Sequence, residues 1–237
     1  MRITVIGRGH VGGGLARRWE AAGHEVTAIG RGGGDATGAE VVVVAIPGDA
    51  IVAGLDAVVG LDGQVTIDAT NTFGARPQGY DSVAQQVKAI VGGPTAKAFN
   101  TNFASVYDAV DAEPVPPGTL FASDADARQA TERLIRDAGF DPIHLGDLST
   151  APVLESLVAL TSTLDRGDLG PFFTASIARG NCPRGEASTR PSGRAAPASR
   201  PAASSSSRSS SLARHVCPPS TPDHLSEKRL ADMAAMT

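Results

Sequence analysis

The opening stretch Arg2-Ile3-Thr4-Val5-Ile6 reads as a short strand and runs straight into Gly7-Arg8-Gly9-His10-Val11-Gly12. Glycines at this spacing, between a strand and a helix, constrain the fold more than any other feature of the chain. The first permits a tight turn, the second lets backbone approach a pyrophosphate with no Cβ between them, and the third brings helix and strand close together. The amides of Gly9, His10 and Val11, at the positive end of that helix, are then placed to donate to phosphate oxygens. A glycine-rich turn that holds no ligand is the competing reading. The position of the motif between strand and helix favours a dinucleotide.

The next 140 or so residues repeat the strand-helix alternation. Leu15, Trp19 and Ala22 share a helical face, and Gly23 supplies a stop. His24 to Ile29 reads as a second strand. Val41-Val42-Val43-Val44-Ala45-Ile46 is apolar throughout, as a parallel strand covered on both faces must be, and Pro47 ends it. A helix is expected over 49–59, a strand over 65–68, a helix over 81–91 and a strand over 95–99. After the Pro-rich 113–118 come a strand over 119–122, a helix capped by Ser123 or Asp124, a strand over 140–145 and an apolar helix over 151–164. The pattern predicts a doubly wound, mainly parallel Rossmann-type α/β sheet over 1–148, followed by a short helical segment, 149–179, that packs on the sheet edge or on a partner chain. Residues 180–237 are dominated by Ser, Arg, Ala and Pro, too poor in aliphatic side chains to offset the entropy of ordering, and a disordered tail is expected there. Its composition also resembles the product of a shifted GC-rich reading frame.

The end of the second strand distinguishes the two nicotinamide dinucleotides, because an acidic residue there accepts hydrogen bonds from the ribose 2′-hydroxyl. Here the chain reads Ile29-Gly30-Arg31-Gly32-Gly33-Gly34, with no carboxylate before Asp35. Arg31 stands where a guanidinium can clasp a 2′-phosphate, which favours NADP(H); the plainer alternative is a solvated loop arginine. Arg8 either adds charge near the same phosphates or points to water. Ligands of open α/β sheets sit beyond the carboxyl ends of the strands. Those ends are Ala45-Ile46-Pro47, which offers apolar atoms and backbone to a nicotinamide face, and Asp68-Ala69-Thr70-Asn71 and Phe99-Asn100-Thr101-Asn102, which offer amides, hydroxyls and a carboxylate. Asp68 is also a residue that commonly holds a turn. His10, His24 and His144 are too scattered for a metal site, and no metal is expected.

Charge and composition exclude several classes of function. Residues 1–179 carry 13 Lys and Arg against 21 Asp and Glu, the remainder 8 against 4, so the folded part is acidic and unsuited to a phosphate backbone. No apolar run approaches the roughly 20 residues of a membrane span, and the start has no signal-peptide layout, so a cytoplasmic protein is expected. Both cysteines, Cys182 and Cys217, fall in the tail, and neither a disulfide framework nor a thiolate metal site is indicated. With 4% aromatic residues, the core has to be built from branched aliphatics and alanine.

Taken together, Gly7 to Gly12, Gly23-His24-Glu25-Val26, Gly30-Arg31, Ala45-Ile46-Pro47, Ile67-Asp68-Ala69-Thr70-Asn71, Val91 to Thr101 with Lys97-Ala98-Phe99-Asn100-Thr101, and the stretch from Ala138 to Leu154 resemble the NADP oxidoreductase family that includes NADPH-dependent reductases of the deazaflavin coenzyme F420. The resemblance runs from Arg2 to about Phe173. It implies NADP contacts at Arg8 to Val11, at Gly30 and Arg31, and at Ala45 and Ile46, with the acceptor over the nicotinamide near Asn71 and Asn100. Hydride transfer between NADPH and a flat heteroaromatic acceptor, coenzyme F420 among them, needs no acid or base from the chain. Two alternatives remain: reduction of another small substrate with Lys97 or His144 as an acid, and a dinucleotide-binding module without catalysis. A homodimer is an open possibility for the last apolar helix.

Overall fold

A computed structural model describes residues 1–72 and 74–163, without the side chains of 161–163. The strands are β1 (Arg2–Ile6), β2 (Glu25–Ile29), β3 (Gly34–Asp35), β4 (Val41–Val44), β5 (Val58–Val59), β6 (Val65–Asp68), β7 (Thr95–Ala98), β8 (Gly118–Ser123) and β9 (Asp141–His144). The helices are α1 (His10–Ala21), α2 (Ile51–Asp56), α3 (Val83–Val91), α4 (Ala125–Asp137) and α5 (Ala151–Thr163). Seven strands form one sheet in the order β2-β1-β4-β6-β7-β8-β9. All pairs are parallel except β7 with β8, so the sheet is the mainly parallel, doubly wound one expected.

Alternation along the central strands builds the two cores. Val41 and Val43 of β4 join Ile3, Val5, Leu15, Trp19, Leu134 and Phe140 on one face, whereas Val42 and Val44 join Ile6, Ile51, Leu55, Val83 and Val87 on the other. All four valines are buried, as a strand covered by helices on both sides requires. Trp19 anchors α1 across the first core: its Nε1 donates to the Leu134 carbonyl at 2.8 Å, and its ring meets Phe99 edge-on at 5.8 Å. Strand order reverses between β1 and β4, which opens a crevice beyond their carboxyl ends.

Four local expectations need correction. Only Ile51–Asp56 of the helix expected over 49–59 is helical; the β-branched Val58 and Val59, followed by Gly60 at a φ of 76°, pair instead with Gly34 and Asp35. Ala22 is an exposed C-cap outside the apolar stripe, because the helix ends at Ala21 and Gly23 reverses the chain at a φ of 85°. Ser82, whose side chain accepts from Gln85 N, starts α3, and Asp81 lies outside it. Asp124 holds the N-cap position of α4, but its carboxylate accepts from Thr95 N and pairs with Lys88 Nζ, each at 2.8 Å, instead of capping its own helix.

α5 packs on β8 through Leu154, which meets Leu120 and Ala122. The end of the expected helical segment, 164–179, and the expected disordered tail, 180–237, lie outside the described residues. Among the described residues, no helix is long and apolar enough to cross a membrane.

Candidate functional site

The crevice is bounded by the Gly7–Gly12 loop, the turn after β2 and the ends of β4, β6 and β7. Within the loop, the three glycines answer to different neighbours. Gly7 has a φ of 118°, and a Cβ there would lie 2.2 Å from the Ala45 carbonyl oxygen. A Cβ on Gly12 would lie 2.1 Å from the Gly7 carbonyl oxygen. Packing therefore demands both. Gly9 has an ordinary φ of −71°, and a Cβ on it would meet no protein atom within 4 Å. The fold itself places no demand for glycine at this position, but a phosphate approaching the backbone does. Gly9 is also the N-cap of α1, and no side chain caps the helix, so the first-turn amides of His10 and Val11 are left for an incoming acceptor.

Ala45 and Ile46 press against the loop, with Ile46 Cγ2 3.1 Å from a Cβ built on Gly7. Pro47 is exposed, and the next residue, Gly48, donates its amide to the Asn71 carbonyl at 3.2 Å, which ties the β4 end to the β6 end. Asn71 Nδ2 donates to the Asn100 carbonyl at 2.7 Å, and Asn100 Nδ2 donates to Asn71 Oδ1 at 3.3 Å and to the Leu154 carbonyl at 3.2 Å. Both amides are thereby fixed in orientation. Asn100 Oδ1 is buried and has no protein partner. Phe99, the residue before it, has a φ of 63°, a left-handed conformation that costs a non-glycine residue about 1–3 kcal/mol. Edge-on contacts with Trp19 and Phe140 hold it there. The reversal at Phe99 turns the chain out of β7 and brings Asn100 against Asn71.

At the end of β2, Arg31 is exposed and no hydrogen bond or ion pair among the described residues holds it. Arg8 reaches across from the glycine loop, its Nε donating to the Ala28 carbonyl at 2.8 Å. His10 is exposed at the start of α1, and Val11 is half-buried against the first core.

Lys97 is enclosed. Fully buried, its Nζ donates to Asp68 Oδ2 at 2.8 Å and to the Thr70 carbonyl at 2.7 Å, and it lies 3.2 Å from Glu155 Oε1. With its three hydrogens facing three buried acceptors, Nζ has none left for a substrate in the crevice. Asp68 does hold the turn as well, its Oδ1 accepting from Thr70 N at 2.9 Å. His144 lies on edge strand β9 against Phe121, ring centroids 4.8 Å apart, and burial with nearby Arg128 holds its imidazolium pKa below the usual value. Sequence reasoning missed Glu155 and the reach of Arg8. A signal existed for the first: charged residues on two adjacent buried strands, Asp68 and Lys97, have to be paired. A depression of 340 Å³ lined by Lys88, Gly92, Pro94 and Asp124 opens at the amino end of β7, away from these groups.

No family model and no curated protein matches the chain. Among solved structures it is similar to a candidate F420-dependent NADP-reductase from Arthrobacter sp. FB24, with 26% identity over 68% of this chain and 91% of that one and a TM-score of 0.56. A hypothetical protein from Sinorhizobium meliloti is 27% identical over 64% of this chain and 88% of that one, with a TM-score of 0.53. An imine reductase from Streptomyces aurantiacus shares the fold at 19% identity and a TM-score of 0.52, and the chain spans 62% of its length. The protein thus has the Rossmann fold of NADP-dependent oxidoreductases, and its resemblance to the deazaflavin-linked reductases extends to three dimensions.

Proposed function

We propose that the protein is an NADPH-dependent oxidoreductase that passes hydride between NADP(H) and a flat heteroaromatic small molecule, a deazaflavin such as coenzyme F420. The observation that carries the cofactor reading is Gly9: its Cβ space is empty of protein, while its neighbours Gly7 and Gly12 are glycines because the fold requires it. The similarity to the candidate F420-dependent NADP-reductase from Arthrobacter supports the acceptor.

Each part of the chain has a task in such a reaction. The loop amides from Gly9 to Val11 receive the pyrophosphate, with the α1 dipole adding to the attraction. Arg31, with Gly30 beside it, takes the ribose 2′-phosphate. Ala45, Ile46 and Pro47 offer an apolar face that excludes water from one side of the nicotinamide ring. Asn100 Oδ1, buried without a partner, would accept from a carboxamide N–H, and Asn71 keeps the Asn100 side chain oriented. The nicotinamide supplies the hydride when bound. A proton taken up by the reduced acceptor comes from solvent, which agrees with the enclosure of Lys97.

The test is NADPH oxidation by the purified protein with coenzyme F420, flavins and small carbonyl compounds supplied separately. F420-dependent oxidation is expected. Turnover with a carbonyl compound alone would replace the acceptor, and nucleotide binding without turnover would make the protein a binding module. The Arg31→Ala variant should weaken NADPH about ten- to a hundredfold, the equivalent of about 1.5–3 kcal/mol, and NADH far less, by titration at fixed ionic strength. Equal losses for the two nucleotides would make Arg31 a loop residue only.

A further inference from the structure

A closed circuit of contacts runs from the buried Lys97 to the two amides at the strand ends and back. Lys97 Nζ donates to the Thr70 carbonyl at 2.7 Å, and that carbonyl belongs to the peptide group whose nitrogen is Asn71 N. Asp68 holds the peptide group before it, with Oδ1 accepting from Thr70 N at 2.9 Å, while its Oδ2 accepts from Lys97 Nζ. Asn71 meets Asn100 through both of its side-chain polar atoms, and Asn100 Nδ2 reaches on to the Leu154 carbonyl of α5. The next residue, Glu155, closes the circuit with Oε1 3.2 Å from Lys97 Nζ. The same Oε1 accepts from Val83 N at 3.0 Å, so one carboxylate oxygen anchors α5 to the start of α3 and, through Lys97, to the end of β6. Stability alone does not call for such a cluster. Apolar side chains of similar volume often replace a buried ion cluster at no loss, and Leu154 against Leu120 and Ala122 already supplies an apolar dock for the helix. Hydrogen bonds add what apolar packing lacks, a fixed direction for each polar group.

We infer that Glu155 and Lys97 are positioning residues: through Leu154 and Thr70 they hold the Asn71–Asn100 pair so that Asn100 Oδ1 is kept ready for the carboxamide of the nicotinamide. The inference rests on the NADP(H) reading and adds to it two residues buried behind the site. Asn100 Nδ2 divides its hydrogens between Asn71 Oδ1 at 3.3 Å and the Leu154 carbonyl at 3.2 Å. The rotation of the amide, and with it the direction of Oδ1, therefore follows the places of α5 and of the β6 end. Lys97 and Glu155 fix both places against each other. Oδ1 itself has no hydrogen-bond partner among the described residues, so it is the acceptor that the circuit leaves over. Loosening the circuit affects the nicotinamide end of the dinucleotide alone, because the pyrophosphate is received by the Gly7–Gly12 loop.

Titrations of NADPH and of 2′-phospho-ADP-ribose, the same dinucleotide without its nicotinamide, into the full chain and its Glu155 variants test the inference. Glu155→Met removes the acceptor shared by Lys97 and Val83 N and leaves Lys97 and Asp68 as a balanced pair. It should weaken NADPH about three- to tenfold, the worth of one hydrogen bond, and leave the truncated nucleotide within about twofold. Glu155→Gln keeps an acceptor in the same place and should recover most of the NADPH affinity. Glu155→Asp pulls the carboxylate back by one methylene, carries the same expectation as Glu155→Met, and takes its place if that variant does not fold. Thermal melts without nucleotide show which variants are folded. Two outcomes overturn the inference while sparing the cofactor reading: equal losses for both ligands, which a merely structural cluster would give, or unchanged NADPH affinity in the folded variant. A wild-type protein that binds neither ligand would instead remove the NADP(H) reading, and the positioning role with it.

Discussion

Gly9 and Gly12 sit three residues apart in one loop and are glycines for opposite reasons. An added Cβ meets nothing at Gly9 and a backbone oxygen at 2.1 Å at Gly12. Gly9→Val should therefore fold with near wild-type stability and lose NADPH affinity by about a hundredfold, on the order of 3 kcal/mol. Gly12→Ala should instead destabilise the protein by about 1–3 kcal/mol, because helix and strand have to move apart. Urea unfolding and NADPH titration of the two variants separate these losses. Unchanged affinity in folded Gly9→Val would end the pyrophosphate assignment. The spacing announced all three glycines and a separate task for each, whereas the distances that make Gly7 and Gly12 indispensable to packing come from the tertiary structure.

α5 is held over the strand ends by polar contacts that include Asn100 Nδ2 to the Leu154 carbonyl and Lys97 to Glu155, whose Oε1 also accepts from Val83 N at 3.0 Å. The apolar pattern of this helix predicted that it packs on something, and Leu154 against Leu120 and Ala122 does that in the described part. Where it packs depended on the buried charges. Lys97→Met would leave the Asp68 and Glu155 carboxylates buried without their cation and should cost about 3–5 kcal/mol. Glu155→Gln keeps an acceptor for Val83 N and Lys97, and Glu155 Oε2 has no partner to lose, so its cost should stay below about 2 kcal/mol. Chemical denaturation of both variants measures the difference, and a Lys97→Met variant as stable as wild type would mean that the cluster contributes nothing to docking.

At the scale of the whole molecule, the crevice joins segments far apart in the chain, from Gly7 to Asn100, so a ligand that fills it should stabilise the whole fold. NADPH at about a hundred times its dissociation constant adds about 2.7 kcal/mol, enough to raise the melting temperature by several degrees. NADH at the same concentration should raise it less, and scanning calorimetry of the two mixtures reads the difference. Equal shifts would point away from 2′-phosphate recognition. The doubly wound sheet was legible because its signals are local and periodic: Val41 to Val44 has to be covered on both faces, and the Gly7–Gly12 loop has to join a strand to a helix. The same locality made Arg31 visible at the end of β2, and Asn71 and Asn100 visible at strand ends. The pairing of Val58–Val59 with Gly34–Asp35, the left-handed turn at Phe99, the enclosure of Lys97 by Asp68 and Glu155, and the reach of Arg8 to Ala28 were decided by tertiary structure. Each depends on a contact between residues well separated in the chain, and local patterning specifies which face a side chain takes but not which distant partner meets it there.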